Sequence, residues 1–161
     1  MQPEIIRVDY RNPRHAADLV ALLNHYASGT EGGGQPLAPE VQSALPTALA
    51  RLPHAFSLLC YVDGVAAGLV NCLEGFSSFK CKPLVNIHDV VVLDRFRGRG
   101  IAALLLAEVE KVAREKGCCK ITLEVLEGNK AAQHAYLKFG FDGYELDPVM
   151  GKALFWQKML N

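Results

Sequence analysis

Two glycines and three arginines crowd the stretch RFRGRGIAALLLAEVEK, which runs from Arg95 to Lys111. Gly98 and Gly100 stand immediately before a long apolar-periodic segment. A glycine turn opening a helix can hold an anion. The first N–H groups of a helix lack intrahelical partners, and the helix dipole adds about half a positive charge there. Glycine also lets a phosphate come close to the backbone. Two registers are open. Arg95 is followed by Gly98 and Gly100 at third and fifth place, and Arg97 by Gly100 and Ala102 in the same way.

Chemistry-bearing residues flank this turn. Upstream, His88 and Asp89 precede the triplet Val90, Val91, Val92. An imidazole or a carboxylate at that place can accept a proton. Glu74 and Glu124 are alternative bases. Downstream, NKAAQHAYLKFGF places Asn129, Ala132, Tyr136, Gly140 and Phe141 at fixed spacing. A phenol, which ordinarily titrates near 10, can donate a proton to a departing anion.

Three kinds of phosphate site compete for the glycine turn. A P-loop needs GxxxxGK[ST], which does not occur. The dinucleotide fingerprint does match at GRGIAA, and Glu124 follows about 20 residues on, as that motif asks. Its context is wrong, however. LDRFR separates the strand from Gly98, and only one further helix follows, too little for a doubly wound sheet.

The third kind fits. RFRGRGIAALLL followed by LEVLEGNKAAQHAYLKFGF resembles the GNAT (GCN5-related N-acetyltransferase) superfamily. Its first signature is Q/R-x-x-G-x-G/A, and its second is N-x-x-A-x-x-x-Y-x-x-x-G-F, matched here at every position. Family members read R-G-x-G-I-G into a leucine-rich helix, which aligns Arg97, Gly98, Gly100, Ile101 and Ala102 and leaves Arg95 to the loop. The resemblance implies acetyl-CoA as cofactor, with its pyrophosphate held by Arg97, Gly98, Arg99, Gly100, Ile101, Ala102 and Ala103. It implies that Val90, Val91 and Val92 pair with the pantetheine arm and that Asn129 holds that arm or the adjoining backbone. It makes Tyr136 the general acid and leaves the base open among His88, Asp89, Glu74 and Glu124. A Glu-Asp pair stands at His88-Asp89 in polyamine-type members, and the change weakens a polyamine reading. The implied reaction is acetyl transfer to a primary amine of a small molecule or peptide. A non-catalytic CoA-binding module on the same fold is the alternative. The resemblance also admits a homodimer.

The elements that must position these residues follow from the pattern. EIIRVDY reads as a strand. NPRHAADLVALLNHYASG reads as a helix capped by Asn12, started by Pro13 and stopped at Gly29, with Leu19, Leu22, Leu23 and Tyr26 on one face. TEGGGQPLAP is a loop. PEVQSALPTALARLP is helical in composition, and Pro46 is expected to divide it into two pieces. AFSLLCYV, Asp63-Gly64 and VAAGLVNCLEGF form a hairpin, FSSFKCKP is a second loop, and LVNIHDVVVL is a strand. The next helix buries Ala102, Leu105, Leu106, Val109, Val112 and Ala113 and stops at Gly117. CCKITLEVL is a strand, NKAAQHAYLKFG a helix, and FDGYEL and ALFWQKML two last strands. The order β-α-α-β-β-β-α-β-α-β-β gives an α/β fold of α+β type, a single domain over residues 1–161 with a mixed, mostly antiparallel sheet flanked by helices. Tyr144, Phe155 and Trp156 could wall an acceptor pocket or pack a core or dimer face.

Composition excludes several classes. The formal net charge is zero, so neither a basic nucleic-acid binder nor an acidic disordered chain is indicated. No acidic run announces a polycationic ligand. Five cysteines without a CxxC pair point to buried free thiols in a reducing cytoplasm, with no metal site. No apolar run reaches the roughly 18 residues of a membrane span, so no membrane partner is expected.

Overall fold

The computed structural model describes residues 2–160. Strand β1 spans Pro3–Arg7, helix α1 Pro13–Ser28 and helix α2 Pro39–Ala50. β2 covers Ala55–Val62, β3 Val65–Ser77 and β4 Lys82–Val92. α3 covers Ile101–Glu115, β5 Ile121–Leu123 and α4 Lys130–Phe139. Two short 3-10 turns, Thr30–Gly32 and Asp94–Phe96, sit in the connections.

The five strands lie in the order β1-β2-β3-β4-β5. The first four are antiparallel to their neighbours, and β5 runs parallel to β4. Short turns can join the antiparallel strands, whereas the parallel pair needs a crossover, which α3 provides. Asp63 and Gly64, both with positive φ, close the β2–β3 hairpin. Each face of the sheet carries its own core. Leu19 and Leu22 of α1 pack with Leu59, Leu69 and Val91, joined by Leu45 and Leu49 of α2. On the other face Ile101, Leu105, Leu106 and Val109 of α3 pack on Leu58, Val70, Val85 and Ile87, with Phe139 and Phe141 at the margin.

Several sequence expectations need correction. Pro46 does not divide α2, which stays one helix. The proline removes one helical hydrogen bond, but Leu45 and Leu49 still reach the apolar cluster under α1, and that tertiary burial carries the helix through. Ala102 leaves the buried stripe of α3, and Ile101 takes its place. Only Cys60 and Cys72 are buried thiols, whereas Cys81 and Cys119 are exposed. The two last strands are not formed. Among the described residues beyond Phe141 there is one isolated bridge, Glu145 to Lys152.

Gly68 on β3 sets how closely α3 can approach the sheet. A methyl group there would stand 3.0 Å from Ile101 Cγ2, 3.0 Å from Leu105 Cδ1 and 3.1 Å from the Val91 carbonyl oxygen. Ile101 is the first residue of α3, so this contact seats the helix start. Gly68→Ala is expected to cost about 1–3 kcal/mol of stability by overpacking. Urea unfolding measures that loss, and a parallel titration should show weaker acetyl-CoA binding as the helix start is displaced.

Candidate active site

β4 and β5 pair only through Val85–Ile87 and Ile121–Leu123. Beyond Ile87 the two strands separate. The parting coincides with a bulge in β4: Asn71 pairs with Asp89 and Cys72 with Ile87, so His88 is the extra residue. A cleft of 970 Å³ opens between the parted strands. Its walls are His88 and Val90–Val92 of β4, Leu123 at the end of β5 with residues 124–127 beyond it, Asn129 and Tyr136 at α4, and Tyr26, Ser28 and residues 29–31 at and after the end of α1. Among the described residues the β4 backbone from His88 onward has no strand beside it on the cleft side, so its polar groups are open to a ligand.

One end of the cleft is the glycine turn. Gly98 and Gly100 have φ of +73° and +78°, a region that disfavours side chains, and no atom lies within 4 Å of where either Cβ would stand. Gly100 precedes α3, and no side chain caps that helix. The first N–H groups of α3 therefore face an open cradle. Arg97 lines the cleft, held by Asp94 at 3.1 Å and by the Val92 carbonyl oxygen at 3.5 Å from its Nε. Arg95 lies over the Phe96 ring at 5.0 Å and is absent from the cleft wall. The cradle fits a pyrophosphate: open space, uncapped amides and a guanidinium at its rim.

The other end holds the groups able to move a proton. Asn129 caps α4 by accepting a hydrogen bond from the Ala132 N–H at 3.2 Å. That cap seats the helix from which Tyr136 reaches the cleft. Burial, and then the nearby Tyr26, push the Tyr136 phenol up to about 12, above the ordinary value. Phe141 meets the Tyr136 ring edge-on at 5.9 Å. His88 lines the cleft and is exposed.

Asp89 turns to the other face of the sheet. It accepts from Asn71 Nδ2 at 3.0 Å, and Asn71 Oδ1 accepts from Ser57 at 2.7 Å. The single Ser57 proton is thereby committed, so Tyr10 donates to Ser57 Oγ at 2.8 Å. Ser57 and Asn71 are buried, and this chain satisfies them. Asp89 is thus an anchored carboxylate off the cleft wall, and Glu74 is paired with Lys116 at 3.5 Å. Of the four candidate bases, His88 and Glu124 line the cleft. So do Val90, Val91, Val92, Arg97, Ala102, Asn129 and Tyr136, while Gly98, Arg99, Gly100, Ile101 and Ala103 form the turn and helix start beside it. Phe155 borders the cleft, but Tyr144 and Trp156 do not.

Sequence reading missed Tyr26 as a site residue. It was one of four on an apolar helix face, and its hydroxyl was the only sign of a second role. In the structure it borders the cleft and donates to the Glu31 carbonyl at 3.4 Å. Burial, followed by Asp89 and Glu31, raises its phenol pKa.

This sheet, split at a bulge beside a glycine-capped helix, defines a CoA-type acyltransferase architecture. The acetyltransferase (GNAT) family model matches residues 19–141, and the chain belongs to that family. The aminoglycoside N(6')-acetyltransferase type 1 of Salmonella typhimurium is 27% identical over 108 residues, 65% of this chain and 70% of that protein. The mouse (Mus musculus) thialysine N-epsilon-acetyltransferase is 38% identical over 82 residues, 42% of this chain and 48% of that protein. The solved structure of AAC(6')-Iy with the bisubstrate analog CoA-S-monomethyl-acetylneamine superposes with a TM-score of 0.78, at 22% identity, over 99% of this chain and 100% of that one. The protein is an acyltransferase that uses acetyl-CoA to acetylate an amine.

Proposed function

We propose that the acceptor is a small molecule bearing several ammonium groups, of the aminoglycoside kind. The carrying observation is the acidic lining of the acceptor end: Glu31 from the loop after α1 faces the same cleft as Glu124 and Glu127 beyond β5. Three carboxylates along one cleft favour a ligand with more than one positive charge. The match to a Salmonella aminoglycoside acetyltransferase supports the same class.

Acetyl-CoA supplies the acyl group as a thioester. Arg97 and the N–H groups of Ile101, Ala102 and Ala103 hold the pyrophosphate, with Gly98, Arg99 and Gly100 shaping the turn. The open β4 edge at Val90–Val92 pairs with the pantetheine arm, and one of its N–H groups polarises the thioester carbonyl. Asn129 seats α4 and so places Tyr136, whose protonated hydroxyl meets the departing sulfur. His88, lifted into the cleft by the bulge, takes the ammonium proton directly or through water. Asp89 keeps the β4 backbone in place through Asn71.

A panel of amines tests the acceptor class, read by release of free CoA. Aminoglycosides should give the highest kcat/KM, above linear polyamines, lysine analogues and peptide N-termini. The double variant Glu31→Gln/Glu124→Gln should raise the aminoglycoside KM by about tenfold or more, for two weakened charge-assisted contacts. Equal turnover of a monoamine, or an unchanged KM in the variant, would refute the polycation reading.

A further inference from the structure

Tyrosine and cysteine aside, two polar residues are buried among the described ones, Ser57 at 1% exposure and Asn71 at 7%. They are cross-strand partners. Ser57 of β2 stands opposite Asn71 of β3, and Asn71 stands opposite Asp89 of β4. The three side chains form one row across the sheet, since Asn71 Oδ1 accepts from Ser57 at 2.7 Å and Asn71 Nδ2 donates to Asp89 Oδ2 at 3.0 Å. The bulge of β4 begins at the next pair. Buried polar groups add little net stability over apolar ones, but they penalise every arrangement that leaves them unpaired. A row of them beside a bulge therefore selects a register.

Two registers of β4 compete. In the one observed, Asp89 faces Asn71, Val90 faces Val70, Val91 faces Leu69 and His88 is left over. Removing the bulge slips β4 by one place, so that His88 faces Asn71, Asp89 faces Val70 and Val90 faces Leu69. The valines cannot choose between the two. The sheet has an apolar core on each face, and Val90, Val91 and Val92 suit either. The polar residues can. In the slipped register Asp89 turns toward the apolar core that holds Val70, Ile101 and Leu105, where a carboxylate without a partner is costly. His88 then takes the place of Asp89 against Asn71, off the cleft wall. Asn86 ties β4 on the near side of the bulge, donating to Thr122 Oγ1 of β5 at 2.8 Å. With β4 held at Asn86 and at Asp89, the extra residue falls between them.

We infer that Asn71 is a positioning residue: through Asp89 it holds β4 in the bulged register, and so decides that His88, not Asp89, stands in the cleft. The same register sets which N–H groups of Val90–Val92 face the cleft, because they alternate sides along a strand. Ser57 and Tyr10 support Asn71 from behind, with their hydroxyl oxygens 2.8 Å apart. The consequence for the rate rests on His88 as the base; the placement of His88 does not.

Asn71→Leu is close in size and makes no bond to Asp89. Cross-strand proton contacts by NMR read the register directly. The wild-type chain should show a backbone contact between Val90 and Val70. The variant should lose it, wholly or in a second set of signals, in favour of Asp89 against Val70. Its kcat at saturating acetyl-CoA should fall by about 10²-fold, the usual cost of losing a positioned base. That loss should be less than additive with the loss in His88→Gln, since both take the same imidazole out of the cleft. If Asn71→Leu does not fold, Asn71→Leu/Asp89→Val carries the test, because no carboxylate is left unpaired and Ser57 and Tyr10 still satisfy each other. A variant that keeps Val90 on Val70 overturns the inference whatever its rate. If His88→Gln leaves kcat unchanged, only the base assignment fails, and the Val70 contacts decide the role of Asn71 by themselves.

Discussion

Gly100→Asp is expected to reduce acetyl-CoA affinity by at least about 100-fold, roughly 2.7 kcal/mol. Two effects combine. The position has φ of +78°, where a non-glycine residue costs about 1–2 kcal/mol. The larger effect is charge: a carboxylate would enter the open cradle in front of the uncapped α3 amides and repel the pyrophosphate. Gly100→Asn separates the two, since Asn tolerates left-handed backbone and carries no charge. It should retain much more affinity than the Asp variant. Arg95→Ala serves as the contrasting substitution in the same loop. Its guanidinium lies over Phe96 rather than in the cleft, so binding should stay within about twofold, or roughly 0.4 kcal/mol. Calorimetric titration of folded variants with acetyl-CoA measures all three. Equal loss in Gly100→Asp and Arg95→Ala would remove the proposed register on Arg97.

Tyr136→Phe is expected to lower kcat by about 10²-fold or more, the usual cost of losing a positioned acid. The acetyl-CoA dissociation constant should change little, because the cradle at α3 is untouched. The ring remains and keeps its edge contact with Phe141, so stability should hold. The raised phenol value, about 12, has a definite sign. Tyr136 stays protonated through any working pH and acts as a hydroxyl donor, so a falling limb of the rate profile below pH 10 belongs to another group. The fold prefers the neutral phenol; its contribution to stability is present below pH 10 and is lost as pH rises toward 12. Steady-state and single-turnover rates of wild type and variant across pH check both claims. A variant with unchanged kcat would reduce Tyr136 to a packing residue.

Local rules made much of this protein legible in its sequence. The Asp63-Gly64 turn, the Asn12 cap of α1 and the apolar stripe of α3 depend on neighbours a few positions away, and each appears where the pattern placed it, save that Ile101 replaces Ala102 at the start of the stripe. The glycine turn and the Asn129-to-Phe141 spacing are local too, which is why the family was recognisable before the fold. Pro46 misled because its cost is local while the burial of Leu45 and Leu49 that overrides it is not.

Tertiary structure alone decided which titratable side chains share the cleft. Whether His88 or Asp89 faces the cleft turns on one extra residue in β4, since a strand alternates faces at every step and a bulge resets the alternation. No acidic run joins Glu31 to Glu124 and Glu127 in the chain; only the fold, which lays the end of α1 beside the segment after β5, brings them to one cleft. The fate of residues 153–160 is likewise beyond local reading. The pattern reads them as a strand, but a strand exists only against an edge, and none of the five described strands pairs with them.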